Sequence, residues 1–404
     1  MADIRQYRRQ KQKTNPADTD DNDNYIDRIK LHRMRVRGII IAAVVIAAIA
    51  VAVVCIVKYN SDYGSYRVRA SVALNDNGYT RYISFGGGYV RYSRDGAALF
   101  SYDGVRVWDR SYEINNPAVD VCQGYMAIAD IEGTQIYLFN EDGYEATVST
   151  ALPIAQISVS SQGLVAAILN DGSASYINMY NKDGSKIYNI KTTVDGDGVP
   201  VSMAVSNDGK KLVVSYTAVS GQELATSVVF YNFDEVGQSE VERIVGGYDT
   251  YGSRLVSKVE FINDDTAVAF GENVISFFRI DEYPKLLTDV ETEFTTKKIF
   301  YSSKYVGRFY QTDDGSTKAD VYDASGERVL SADVEEQYTS FDFTDEGLLM
   351  YGENMCKLLN MKGNTVFEYE FEDGIIGILP LSGNTEFLYH SSKAMQKISL
   401  KHGG

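Results

Sequence analysis

Three histidines and three cysteines are the whole stock of imidazole and thiol in this 404-residue chain. His32 precedes a long apolar run, and His390 and His402 lie near the C-terminus. A serine, histidine and aspartate triad could therefore draw only on His390. The spacing offers no zinc module, and Cys122 and Cys356 read as buried, unpaired thiols. Gly86, Gly87 and Gly88 lead into a strand-like run and lack the Lys and Ser/Thr of a phosphate loop, so they read as turn residues. Asp195 and Asp197 in VDGDGVP could hold a weak Ca²⁺, but a solvated turn is the plainer reading. A glycosidase-like carboxylate pair converges only in space and stays open at this level. The expectation is a protein without catalytic residues, metal or cofactor.

What remains is binding chemistry. Three long connections are expected near the middle of the chain, from Lys191 to Val199, Thr217 to Ala225 and Gly246 to Arg254. They carry Asp195, Asp197, Glu223, Tyr248, Asp249 and Tyr251, an acidic and aromatic set suited to a basic partner or to a sugar stacked on tyrosine. For any one of these residues, a solvated side chain on a tolerated insertion is the plainer reading, and the binding reading rests on them as a patch.

The elements that would position this set are strands. Past residue 65, short apolar and aromatic runs alternate with Gly, Asp and Asn clusters, which is all-β patterning. A strand, tight turn and strand unit recurs with turn glycines at 104, 143, 184, 326 and 363, about 40 residues apart, and degenerate turns are expected near Asp234 to Gly237 and Asp281 to Pro284. Such a period with four strands per unit predicts a β-propeller. Eight blades fit best, with seven as the alternative. The eighth is built from three C-terminal strands within residues 375–400 and from YRVRASVAL, residues 66–74.

Ahead of the strands, Gly38 to Val57 holds twenty residues without a charge, amide or hydroxyl. As a helix this is about 30 Å long, the thickness of a bilayer core. The basic residues concentrate before it, so the positive-inside rule puts the N-terminus in the cytoplasm. The expected organisation is a polar tail at 1–37, a transmembrane helix at 38–57, a linker at 58–65 and a propeller outside the plasma membrane at 66–404. A net charge of −16 is the opposite of the balance a nucleic-acid binder shows, and no nucleic-acid partner is expected.

The segments NPAVDVCQGYMAIADIEGTQIYLFNEDG, VVFYNFDEVGQ and ERIVGGYD resemble a family of single-pass membrane propeller proteins of Gram-positive anaerobic bacteria, a domain of unknown function. The resemblance implies architecture and compartment and supplies no catalytic residues. A single Trp, at 108, rules out carrying over the repeated Trp motifs of quinoprotein and WD40 propellers. The functional expectation is a non-enzymatic scaffold of the cell envelope that binds a protein or cell-wall partner. A sensor coupling an external ligand to the tail is the alternative, followed by an extracellular hydrolase or lyase.

Overall fold

The computed structural model describes residues 32, 34, 36–51, 63–74, 80–193, 196, 198–221, 223–381 and 383–402. The chain divides into two units, residues 1–61 and 62–404.

In the first unit a helix runs over 36–51. At 1.5 Å per residue it is about 24 Å long, short of the roughly 30 Å of a bilayer core. Among the described residues no helix is long and apolar enough to cross a membrane. This corrects the expected spanning helix at 38–57 and the plasma-membrane placement built on it; residues 52–57 lie outside the described residues.

Among the described residues of the second unit, the regular elements are strands apart from a short helical insertion of two turns within 235–243. After β1 (Tyr63–Ala73), six antiparallel four-stranded sheets follow in chain order. The first holds β2 (Arg81–Phe85), β3 (Gly88–Tyr92), β4 (Gly96–Ser101) and β5 (Arg106–Ser111); the second β6 (Pro117–Cys122), β7 (Tyr125–Asp130), β8 (Gln135–Asn140) and β9 (Gly143–Ser149). The third holds β10 (Ile154–Val159), β11 (Val165–Asn170), β12 (Ala174–Tyr180) and β13 (Lys186–Thr193); the fourth β14 (Val199–Val205), β15 (Lys211–Ser220), β16 (Glu223–Asn232) and β17 (Ile244–Tyr248). The fifth holds β18 (Val256–Phe261), β19 (Thr266–Gly271), β20 (Val274–Ile280) and β21 (Pro284–Glu291); the sixth β22 (Thr296–Tyr301), β23 (Tyr305–Gln311), β24 (Thr317–Asp323) and β25 (Arg328–Asp333). The remaining strands, β26 (Ser340–Phe343), β27 (Gly347–Tyr351), β28 (Met355–Asn360), β29 (Thr365–Glu370), β30 (Gly377–Pro380), β31 (Glu386–His390) and β32 (Ala394–His402), form one eight-stranded sheet with β1. This is a propeller-like all-β fold.

The closure anticipated from the sequence is present. β1 pairs antiparallel with β32 from Tyr63↔His402 to Ala73↔Ala394, and a single parallel pair, Tyr63↔Phe367, links it to β29. The turn glycines also behave as read. Gly104, Gly184, Gly326 and Gly363 all sit at φ between +82° and +84°, a left-handed backbone that a Cβ would strain. Of the two degenerate turns, Asp281 begins a tight hairpin between β20 and β21, while Asp234 caps a one-turn helix, Glu235–Gln238, inserted between β16 and β17.

The core lies between neighbouring sheets. Ile136, Leu138 and Val148 of the second sheet meet Val159, Val165 and Leu169 of the third, all essentially inaccessible to water. Each such side chain contributes roughly 1.5–3 kcal/mol on burial. Cys356 is buried as expected, whereas Cys122 is only half-buried, and neither is bridged.

Candidate binding surface

The expected connection from Thr217 to Ala225 is not a loop. β15 and β16 stay paired to Ser220↔Glu223, because the runs KLVVSYTAVS and ELATSVVFYN favour extended backbone through their β-branched residues. Their neighbours stop earlier: β14 pairs no further than Val199↔Thr217, and β17 no further than Val228↔Tyr248. The rungs Ala218↔Ala225, Val219↔Leu224 and Ser220↔Glu223 therefore form a two-stranded arm beyond the sheet. Val219 is 67% exposed and Leu224 49%.

The connection at 249–255 is tied to the base of this arm, where the Thr226 N–H donates to the Gly252 carbonyl at 2.8 Å. Glu223 and Asp249 are both exposed on the two elements that this bond joins. The two tyrosines of the expected set lie inward. Tyr251 is 4% exposed, and burial pushes its phenol up to about 12. The Tyr248 hydroxyl donates to the Pro284 carbonyl at 3.1 Å and accepts from the Leu286 N–H at 3.0 Å, while its ring packs on Phe278. Asp195 and Asp197 lie outside the described residues.

A second polar set escaped the sequence reading. Several first strands of the sheets carry polar side chains that bond to the neighbouring first strand. The Asp120 carboxylate of β6 accepts the Val159 N–H of β10 at 2.6 Å; the Ser158 hydroxyl of β10 accepts the Val205 N–H of β14; the Ser202 hydroxyl of β14 accepts the Val259 N–H of β18. Gln156 makes a reciprocal pair with the Met203 backbone. Lys258 reaches Glu260 at 3.4 Å and lies over the Tyr301 ring at 4.9 Å.

Burial raises the pKa of Asp120 and of Glu260, partly offset in each by Lys258 and hydrogen bonds, and Asp120 also acts on Glu260 and Tyr301 although the three occupy different sheets. These groups, partly buried on the first strands of different sheets, are therefore within electrostatic reach of one another. Burial takes Asp342 of β26 up to about 6 and the Cys122 thiol to about 11. The available signal was a repeated tripeptide, an acid between two apolar residues: Val119-Asp120-Val121, Val259-Glu260-Phe261 and Phe341-Asp342-Phe343.

This arrangement laces strands together. His390 lies edge-on to Tyr82 at 4.5 Å, away from these acids in sequence and strand. Among the described residues, no group of three or more His, Cys, Asp or Glu is placed to hold a metal ion.

The fold has solved counterparts. The structure is similar to BamB from Moraxella catarrhalis, with 14% identity and a TM-score of 0.52 over 83% of this chain and 100% of that one. It is also similar to Sqt1 from Saccharomyces cerevisiae, with 10% identity and a TM-score of 0.51 over 85% of this chain and 100% of that one. At such identities the likeness shows the propeller fold alone. No curated protein sequence matches the chain. Residues 59–400 match the model of a family of unknown function, DUF5711, and since that span is most of the chain, the protein belongs to this family.

Proposed function

We propose that the protein is a non-enzymatic, protein-binding propeller of eight four-stranded blades, reaching its partner through the β15–β16 arm. The blade count follows from dividing the eight-stranded sheet into β26–β29 and β30–β32 with β1, since a single parallel pair joins the two halves. The observation that carries the binding reading is the arm itself. Two large apolar side chains, Val219 and Leu224, face each other in water beyond the last flanking strand. Exposed apolar surface of this kind is recovered by docking, at about 25 cal/mol per Å² removed from water. Glu223 and Asp249 beside it favour a partner with lysine or arginine around an apolar contact.

A photo-crosslinker at position 219 of the full chain should give a discrete adduct in the producing cell, abolished by Leu224→Ser without a change in melting temperature. Equal adduct yield from a crosslinker at Ile187, which is also exposed but lies on β13, would overturn the assignment.

A further inference from the structure

The exposed face of the arm continues a buried one. Val213 and Phe230, opposite each other on β15 and β16, lie in the core that the fourth sheet shares with the fifth. The register from there to the tip is unbroken, so alternate pairs point to the same side: Thr217 with Thr226, then Val219 with Leu224. A rung of two threonines thus separates the core from the apolar pair in water. Thr226 is only 2% exposed, and neither threonine hydroxyl has a hydrogen-bond partner. An enclosed hydroxyl in that state has lost its bonds to water without replacement, and a group that completes them from outside is bound more tightly for it.

Residues 249–255 run beside this rung. The Gly252 carbonyl accepts the Thr226 N–H at 2.8 Å, and Tyr251 sets its ring in the core cluster that holds Val228 and Phe230. The far end is fastened by the Glu272 N–H on the Leu255 carbonyl and by an Arg254–Glu291 pair at 3.0 Å, largely in water and therefore weak. Gly252 stands at φ +59°, with open space where a Cβ would be. Asp249, exposed, puts a carboxylate at the start of the segment.

We propose that residues 249–255 are a strap, closed against the threonine rung in the free protein and lifted when a partner docks on the arm. A lysine or arginine of the partner then lays its stem along Val219 and Leu224 and donates its N–H groups to the Thr217 and Thr226 hydroxyls, with Asp249 supplying the opposite charge. The strap keeps the rung from water until that side chain arrives, and the partner stabilises the lifted state. The inference deepens the protein-binding reading and rests on it.

The test is hydrogen exchange of the full chain, read at the Thr226 amide, together with adduct yield from the photo-crosslinker at position 219. In wild-type protein the Thr226 amide should exchange at least tenfold faster than that of Val228, which β17 covers, because lifting the strap frees it without unfolding the sheet. Thr217→Val with Thr226→Val keeps shape and charge but removes both acceptors, so the melting temperature should hold or rise while the adduct falls at least threefold. If that protein melts early, Thr226→Val alone should show the same fall. Gly252→Ala, strained only while the strap is closed, should speed exchange at Thr226 at least threefold and raise the adduct yield. A Thr226 amide as protected as that of Val228, or an adduct unchanged in the threonine variants, would overturn the proposal. None of these substitutions alters charge, so simple attraction of a basic partner to an acidic surface predicts no change in any of them. An adduct that persists unchanged removes only the strap and its anchor, whereas no adduct from wild-type protein removes the binding reading as well.

Discussion

The ring of Tyr63, at the start of β1, stacks on that of His402, at the end of β32, with centroids 4.3 Å apart and planes 25° from parallel. Residues from the two ends of the second unit are thereby fixed to each other. Tyr66 continues the contact inward, stacking on Phe371 at 5.1 Å and meeting Tyr369 edge-on.

Removal of β1 should therefore be costly. It would leave β32 as an open edge and expose the faces of Phe371 and Tyr369 that Tyr66 covers. A chain begun at Thr80 should lose several kcal/mol relative to one begun at Asn60, a large part of a domain's usual stability. Equal urea midpoints for the two chains would show that the closing strand adds nothing.

Strand count and closure were legible because a strand's pattern is local: turn glycines, alternation and an unpartnered strand at each end suffice. Burial within a blade was less so. Tyr248 and Tyr251 read as loop residues, since nothing local shows that β21 supplies the Pro284 carbonyl and Leu286 N–H to the first, or that the core between the fourth and fifth sheets encloses the second. Thr217 to Ala225 read as a loop because strands usually end with their partners, and here two outlast them. Asp120 and Glu260 are 140 residues apart, and the charge of one acts on the other only once the first strands stand together.

The sixth sheet holds charge in its interior. Arg308 of β23 and Asp320 of β24 form a buried ion pair at 3.0 Å, with side chains only 6% and 1% exposed. The Phe294 carbonyl also accepts from Arg308, and the Ser331 hydroxyl donates to Asp320. Charged residues thus occupy positions where the apolar alternation would be expected. Asp320→Ala strands a buried guanidinium and should cost about 3–5 kcal/mol, whereas Arg308→Met with Asp320→Leu should cost much less. Urea unfolding of the three proteins decides this, and an equal loss in the double variant would contradict it.

Asp342 gives a pH dependence with a definite sign. Burial takes its carboxyl from 3.8 up to about 6, so between these values the folded state holds a proton that the unfolded state has released. Its contribution is fully present below about pH 4 and is lost as pH rises through about 6, at up to about 3 kcal/mol. Asp342→Asn should remove this loss, leaving the variant more stable than wild type at pH 7.5 and nearly equal at pH 4. Parallel unfolding curves for the two proteins across that range would refute the assignment.

Thiol reactivity tests the electrostatic reach among the first strands. The Cys122 thiol donates to the Asn207 side-chain carbonyl at 3.4 Å, and burial followed by the Asp120 charge raises it to about 11. At pH 8 roughly one molecule in a thousand then carries the thiolate, the form that attacks a disulfide reagent. With Cys55 replaced by Ser, the native protein should react with such a reagent at least tenfold more slowly than the urea-unfolded chain. Cys122, half-buried, should react before the enclosed Cys356. Asp120→Asn removes the negative charge that acts most on this thiol while keeping an acceptor for the Val159 N–H, and should speed Cys122 alone. An unchanged Cys122 rate in that variant would mean that Asp120 does not act on this thiol, and that the electrostatic link between them is absent in solution.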